Sequence, residues 1–292
     1  MKLNQAMKTV IDATIAKQYE QQSTCDVWQK TVMCRGDYAQ RKLILRQGKA
    51  DFMAGEAGLS PLQTVILYCR HYMQMHLASS RYLFKLFSMA KSTVDYPLHT
   101  DGVTMIDFGC GPMTSGLALA THIQELHQKK ATINYIGIDH SAAMLEMAAV
   151  FSDRRELFTT ASNFQFQQKC HHAEELIEMI NHLEKDGPKS TIILNFSYLF
   201  ASETLDHKQL AHTINGILKY FGERKIVFFF QNPPGDYLNK KWILFKEELA
   251  FNLESTTNQI LVPYYEYQFF KINKVDVPKR AINLYYEILR NY

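Results

Sequence analysis

Two carboxylates and two glycines hold the spacing in this sequence that can do chemistry. Asp107-Phe108-Gly109-Cys110-Gly111-Pro112 follows the apolar, β-branched run Val103-Thr104-Met105-Ile106 and precedes the helical pattern Ser115-Gly116-Leu117-Ala118-Leu119-Ala120. A strand that ends in an acid and glycines and then turns into a helix is a nucleotide-type site. Gly109 and Gly111 have no Cβ, so the chain can turn sharply there and a ligand can lie against the backbone. A dinucleotide fingerprint has a third glycine or alanine three positions after the second. Counting from Gly109, that position is Thr114, and the next glycine is Gly116. The segment Ile133-Asn134-Tyr135-Ile136-Gly137-Ile138-Asp139 reads as the next strand of the same unit. Its terminal acid, Asp139, can accept both ribose hydroxyls of a nucleoside. Ser141 is placed to cap a helix beginning Ala142-Ala143-Met144.

"MIDFGCGPMTSGLALA" and "YIGIDHSAAMLEMA" together resemble the first two motifs of class I S-adenosylmethionine (SAM)-dependent methyltransferases, in which an acid precedes the first glycine. The resemblance is close over residues 103–150 and extends as a pattern over 103–290. It departs at Met113, where the family often has a third glycine. The resemblance implies a Rossmann-like α/β fold, doubly wound on a mostly parallel seven-stranded sheet, with SAM or S-adenosylhomocysteine as cofactor. It also implies cofactor contacts from the turn Asp107, Phe108, Gly109, Cys110 and Gly111, with Asp107 reaching toward the SAM amino group. Asp139 is then expected on the ribose, and His140 and Met144 beside the adenine. After the third strand the family places a residue that bonds the adenine amino group. Here that stretch is Cys170-His171-His172-Ala173-Glu174, without the usual acid, which leaves His171 or His172 for the role. A fainter likeness, to ribosome-associated methyltransferase-like proteins, rests on "DFGCGP" and the aromatic-rich arm. The cysteine cluster of those proteins has no counterpart here.

The fourth strand ends Leu194-Asn195-Phe196-Ser197-Tyr198. Carboxyl ends of parallel strands face the crevice where ligands bind. Asn195, Ser197 and Tyr198 are therefore the candidates nearest the reaction, with Asn195 also a cofactor candidate and Tyr198 able to face a sulfonium. Methyl transfer from a sulfonium is a direct displacement, so alignment and exclusion of water matter most. A general base is needed only where the nucleophile must lose a proton early. Arg70 and Arg81, on the arm before the first strand, suit a carboxylate ligand or helix-surface ion pairs. Asn232-Pro233-Pro234-Gly235 resembles the N/D-P-P-Y/F motif of amino-directed nucleic-acid methyltransferases. It follows the fifth strand rather than the fourth and carries Gly235 at the aromatic position, so a plain turn is expected.

Composition narrows the setting. The chain has 292 residues, 47% of them apolar, which is enough for a large core. Five cysteines without a C-x-x-C pair argue for a reducing, cytoplasmic setting and against a zinc site. The adjacent pair His171-His172 is a poor chelate, and no metal is expected. No secretory leader or membrane-length apolar run is seen. The net charge of +3 is uneven: residues 1–100 alone carry +6. Arg35, Arg41, Lys42, Arg46 and Lys49 cluster within that region, either as a solvated helix face or as a patch for an acidic partner such as RNA.

These residues need elements to position them. Residues 1–98 read as a helical N-terminal cap, with Ser60-Pro61 starting one helix and Ser79-Ser80 as a possible break. Residues 99–292 read as the SAM-binding Rossmann-like domain. Strands are expected at 103–108, 133–139, 163–169, 191–196 and 225–231, with helices between them at 114–129, 142–157, 173–185 and 206–221. A further helix through Trp242 to Leu253 leads to two aromatic runs, Ile260 to Ile272 and Arg280 to Leu289, which form an antiparallel hairpin in this reading. The expected activity is methyl transfer to an unidentified acceptor, a small molecule being favoured. RNA or protein methylation by the basic arm, and a non-catalytic SAM-binding subunit, are the alternatives.

Overall fold

The computed structural model describes residues 1–89, 102–170, 172–185, 190–271 and 273–292. Nine strands are described: β1 Val103–Phe108, β2 Ile133–Ile138, β3 Asn163–Gln167, β4 Thr191–Ser197, β5 Ile226–Asn232, β6 Glu254–Val262, β7 Tyr265–Tyr267, β8 Asp276–Pro278 and β9 Ile282–Arg290. Seven of them form one sheet in the order β3-β2-β1-β4-β5-β9-β6. The first five are parallel, and β9 runs antiparallel between β5 and β6. This is the doubly wound, mostly parallel, seven-stranded α/β sheet expected from the sequence. The strand order reverses between β1 and β4, which makes a topological switch point where Asp107 pairs in register with Asn195.

Alternation along the strands sorts the core into two layers. Val103, Met105, Ile193, Val227 and Phe229 face one layer. Ile106, Phe108, Ile192, Leu194, Phe196, Phe228 and Phe230 face the other. Helices Ala173–Leu183, His207–Phe221 and Asp236–Glu247 cover the second face, where Trp242 stacks on Phe230 at 4.1 Å. Helices Gln74–Met89, Thr114–His127 and Ala142–Ser152 cover the first face. Helix Gln74–Met89 lies on the sheet through Phe84 and Phe87, whose rings meet Phe229 edge-on at 4.9 and 5.3 Å. Burying each of those rings contributes roughly 2–3 kcal/mol. Part of the N-terminal arm is therefore a layer of the sandwich, sharing one hydrophobic core with the strands. The boundary at residues 98 and 99 lies outside the described residues.

Three local expectations are corrected. Ser79 and Ser80 do not break the helix, because both hydroxyls are buried and hydrogen-bonded. The irregularity comes earlier, as a π-helical turn at Cys69–Met73 between helices Pro61–Tyr68 and Gln74–Met89. Helix Pro61–Tyr68 does begin at a Ser60 capping box, with Gln63 as the reciprocal partner. The helix through Trp242 ends at Glu247, so strand β6 starts at Glu254 rather than near Ile260. Its partner is β9, while the expected run from Ile260 also supplies β7, which pairs with β8. Among the described residues, no helix is long and apolar enough to cross a membrane, and no His, Cys, Asp or Glu cluster suits a metal ion.

Candidate active site

The turn after β1 is fastened to the end of β2. Gly109 and Cys110 both donate their N–H groups to the Ile138 carbonyl, at 2.8 and 3.0 Å. The Gly111 N–H donates to Asp139 Oδ2 at 2.9 Å, and Ser141 N–H donates to Oδ1 at 2.9 Å. Asp139 thereby closes the turn and opens the next helix, with Ser141 capping Met144 as expected. Gly109 and Gly111 have φ of +69° and +52°, which only glycine adopts without strain. A Cβ on Gly109 would meet Leu199 Cδ1 at 2.9 Å, whereas one on Gly111 would find nothing nearer than Met144 Sδ at 4.0 Å. The backbone is thus crowded at Gly109 and open at Gly111.

Met113 resolves the departure from the family's glycine pattern. It takes φ +62° and ψ 27°, the left-handed conformation that a glycine would take freely. Its side chain is fully buried against Gly116. The turn keeps a glycine-like path, and packing offsets the conformational cost.

Asp107 is almost fully buried and accepts from Tyr135 Oη at 2.7 Å and Asn195 Nδ2 at 2.6 Å. Burial pushes its carboxyl up to about 7, against the two hydrogen bonds that favour the anion. Burial likewise raises Asp139, against the N–H groups of Ser141 and Gly111. Asn195 also donates to Ser197 Oγ at 3.0 Å. Ser197 in turn meets Ser115 at 3.1 Å and Gln231 Nε2 at 2.8 Å, and Gln231 donates to Ser80 at 2.7 Å. This buried chain of polar groups ties β1, β4 and β5 to helices Thr114–His127 and Gln74–Met89. Within it, Asn195 and Ser197 are bonded to protein partners.

Tyr198 differs. It sits at φ +62°, a strained conformation for a tyrosine, with its N–H held by the Gln231 carbonyl at 2.8 Å. The ring stacks on His76 at 4.2 Å, and its hydroxyl lies 3.0 Å from Ser79 Oγ. His76 Nδ1 is 3.1 Å from Tyr68 Oη, and Tyr68 packs against Tyr72 and Phe52 at 5.5 and 5.2 Å. Tyr68 also lies within electrostatic reach of Asp139. Phe52 completes the cover, since its carbonyl accepts from Ser141 Oγ at 2.8 Å. Beside Ser141 a depression of about 330 Å³ is lined by Phe52, Met53, Pro61, Ala142, Glu146 and Gln168, among others.

The remaining sequence candidates fall in several places. Met144 is buried beside Gly111, while His140 is largely exposed, with Nδ1 3.7 Å from Asp139. The Phe108 side chain faces the opposite layer and stacks on Phe196 at 5.1 Å, leaving only its backbone at the turn. Cys110 is buried against Gly137. His172 precedes helix Ala173–Leu183 and lines a separate depression with His212 and Lys219. His171 lies outside the described residues. Arg70 pairs with Asp37 at 3.1 Å between the rings of Tyr19 and Phe270. Arg81 chelates Glu125 at 2.5 and 2.6 Å and holds the Lys2 carbonyl. Both arginines are engaged by protein partners, the ion-pair use that the sequence offered beside a ligand carboxylate. Asn232 is the buried last residue of β5 and donates to the Leu238 carbonyl, which leaves Pro233-Pro234-Gly235 as the link to the next helix.

Phe52, His76 and Gln168 had no place in the sequence reading. Tyr68, Tyr72 and His76 do carry a signal, the i, i+4, i+8 spacing of one helix face. Phe52 and Gln168 reach the crevice through loop geometry that no spacing reveals.

No family model matches the chain, and no curated protein matches it. Solved structures do resemble it in shape. One is a Listeria monocytogenes protein named as a class I SAM-dependent methyltransferase, with 14% identity, TM-score 0.45, and 98% of this chain and 87% of that one covered. Another is precorrin-6y C5,15-methyltransferase from Geobacter metallireducens, with 12% identity, TM-score 0.39, and 72% and 87% covered. A third is loganic acid methyltransferase with S-adenosylhomocysteine, with 10% identity, TM-score 0.40, and 76% and 96% covered. At such identities and TM-scores none of these likenesses assigns a ligand or a reaction to this chain.

Proposed function

We propose that this protein is a SAM-dependent methyltransferase that acts on a small molecule enclosed beneath the N-terminal arm. The observation that carries this reading is the pairing of an open, left-handed Gly111 with the Asp139 carboxylate at the ends of adjacent strands. The space that a Cβ at Gly111 would occupy is free for ligand atoms. Each Asp139 oxygen accepts one backbone N–H and keeps capacity for a hydroxyl donor such as a ribose diol. Two carboxyls, Asp107 and Asp139, suit a ligand carrying ammonium and sulfonium charges. When bound, SAM supplies a methyl group already activated for displacement.

The arm's own contacts support a small acceptor. Phe52, His76 and Ser79 all come from it and meet Ser141 and Tyr198 across the crevice, with Tyr68 packed against Phe52 and His76 behind them. Such a cover excludes water and supplies acceptor contacts that the strands lack. RNA recognition by the basic arm would draw on Arg35, Arg41, Lys42, Arg46 and Lys49. Of these, Arg35 bonds the carbonyls of Lys30 and Thr31, Arg41 faces His71 and Glu266, Arg46 pairs with Glu56, and Lys49 pairs with Glu203. Mass spectrometry of the purified protein for co-bound SAM or S-adenosylhomocysteine, followed by transfer of a labelled methyl group to size-fractionated cell extract, tests the reading. Label in the small-molecule fraction is expected. Label confined to RNA or protein would replace it.

A further inference from the structure

Strand β6 ends the sheet on one side and is unguarded there. Among the described residues it pairs with β9, and the order β3-β2-β1-β4-β5-β9-β6 leaves its other side open. Residues 254–259 are exposed in succession. Side chains alternate between the two faces of a sheet, so an unbroken exposed run means that neither layer of helices reaches this edge. The strand is also long and regular: all nine residues pair with β9 in sequence, without a bulge. An edge strand presents a row of N–H and C=O groups to any incoming strand, and proteins blunt it with charges, proline, bulges or a short length. Residues 255–262, Ser255-Thr256-Thr257-Asn258-Gln259-Ile260-Leu261-Val262, hold no charge and no proline. The one charged residue of the strand, Glu254, stands at its start and pairs with Arg290 of β9 at 3.2 Å. The Gln259 N–H is met locally, by its own Asn258 Oδ1 at 2.7 Å. Leu261 is left 61% exposed. At the opposite edge β3 has five residues, the middle three half-buried.

We propose that β6 pairs antiparallel with β6 of a second copy of this chain, joining the two sheets across a two-fold axis at Asn258. This goes beyond the cofactor reading, since β6 contributes no residue to the site described above. Asn258 is the middle residue of the strand, so centring there engages its whole length. Thr256 then faces Ile260, Thr257 faces Gln259, Ser255 faces Leu261, and Asn258 faces its own counterpart. Threonine, isoleucine and valine are residues that strands favour, and directly opposed side chains are the pairs that stabilise a sheet. No like charges meet in this register. Glu254 faces Val262, and the two Glu254 residues stand at opposite ends of the ladder, roughly 26 Å apart at about 3.3 Å per residue. The strand is therefore complementary to itself, which is what a two-fold contact requires. Pairing satisfies the outward backbone groups and covers Leu261. It also uses up the open edge of both copies, so assembly closes at the dimer.

Sedimentation equilibrium of the full chain, over a wide range of concentration, tests this. A dimer that dissociates on dilution is expected. Asn258→Lys and Asn258→Glu should each sediment as monomers where the wild type is dimeric, because each sets like charges face to face at the axis. Mixed in equal amounts, the two should dimerise again, on the order of tenfold more tightly than either alone. Asn258 is exposed, and circular dichroism checks that both variants fold. If either misfolds, Asn258→Cys gives the same reading: mild oxidation should link two copies through that position, above the background of a wild type whose Cys34 is exposed. A wild type that stays monomeric at every concentration would overturn the proposal and leave the edge to a strand of another protein. A dimer as tight in both variants as in the wild type would place the contact on another surface. Variants that come apart but do not re-form on mixing, or no link above background, would overturn the pairing at Asn258.

Discussion

The Asp139 carboxylate accepts the N–H of Gly111 at 2.9 Å, so the acid that ends β2 fastens the turn that follows β1. One side chain thereby joins the two motifs that are separate in sequence. It also makes the turn's shape and the proposed ribose contact depend on a single residue.

Asp139→Ala should therefore weaken SAM binding by more than one hydrogen bond's worth. Losing a bond to a charged group costs about 1.5–3 kcal/mol, on the order of ten- to a hundred-fold in affinity. Releasing Gly111 adds to that loss. Titration calorimetry of the variant checks it, and an unchanged affinity would place the ribose elsewhere.

Gly111→Leu should abolish SAM binding. The open space beside Gly111 is ligand space in this account, and the left-handed φ of +52° adds strain for any side chain. Thermal melting with and without SAM separates the two effects: the variant melts somewhat lower and gains nothing from the ligand.

Asp107 makes stability depend on pH. The folded state keeps its proton up to about pH 7, whereas an ordinary aspartate releases it near 3.8. The folded protein binds more protons between those values, so stability falls as pH rises through that window, by on the order of 4 kcal/mol from this group alone. Asp107→Asn should flatten that slope in urea titrations at several pH values. A cationic ligand favours the ionised carboxyl, so SAM binding below pH 7 should release a proton. Calorimetry in buffers of different ionisation enthalpy reads that proton directly.

Asn195→Ala should act mainly on stability. It leaves the buried Asp107 oxygen without a donor and opens the chain of bonds to Ser197. A loss of about 1–3 kcal/mol is expected, seen as a lower urea midpoint. A fully stable variant with lost turnover would instead return Asn195 to the reacting centre.

The sequence carried the sheet because each of the five parallel strands ends in a polar or glycine signal and is followed by a helical period. It also carried the cofactor turn, since glycines before a helix and an acid at the end of the next strand are local patterns. Ser79 and Ser80 misled because serines inside a helix read as breakers until their hydroxyl partners, Tyr198, Ser115 and Gln231, are in place. Asn195 and Ser197 sit at the right strand end, but alternation cannot say whether such residues bond one another or a ligand. The i, i+4, i+8 spacing puts His76 on one face with Tyr68 and Tyr72, but its stacking partner Tyr198 lies 122 positions away and only the fold brings the two rings together.

Titration calorimetry of the purified protein with SAM, S-adenosylhomocysteine and NAD tests the central claim most directly. Binding of SAM and S-adenosylhomocysteine, with NAD inert, is the predicted result. Tight NAD binding with no response to either sulfur nucleoside would contradict the account.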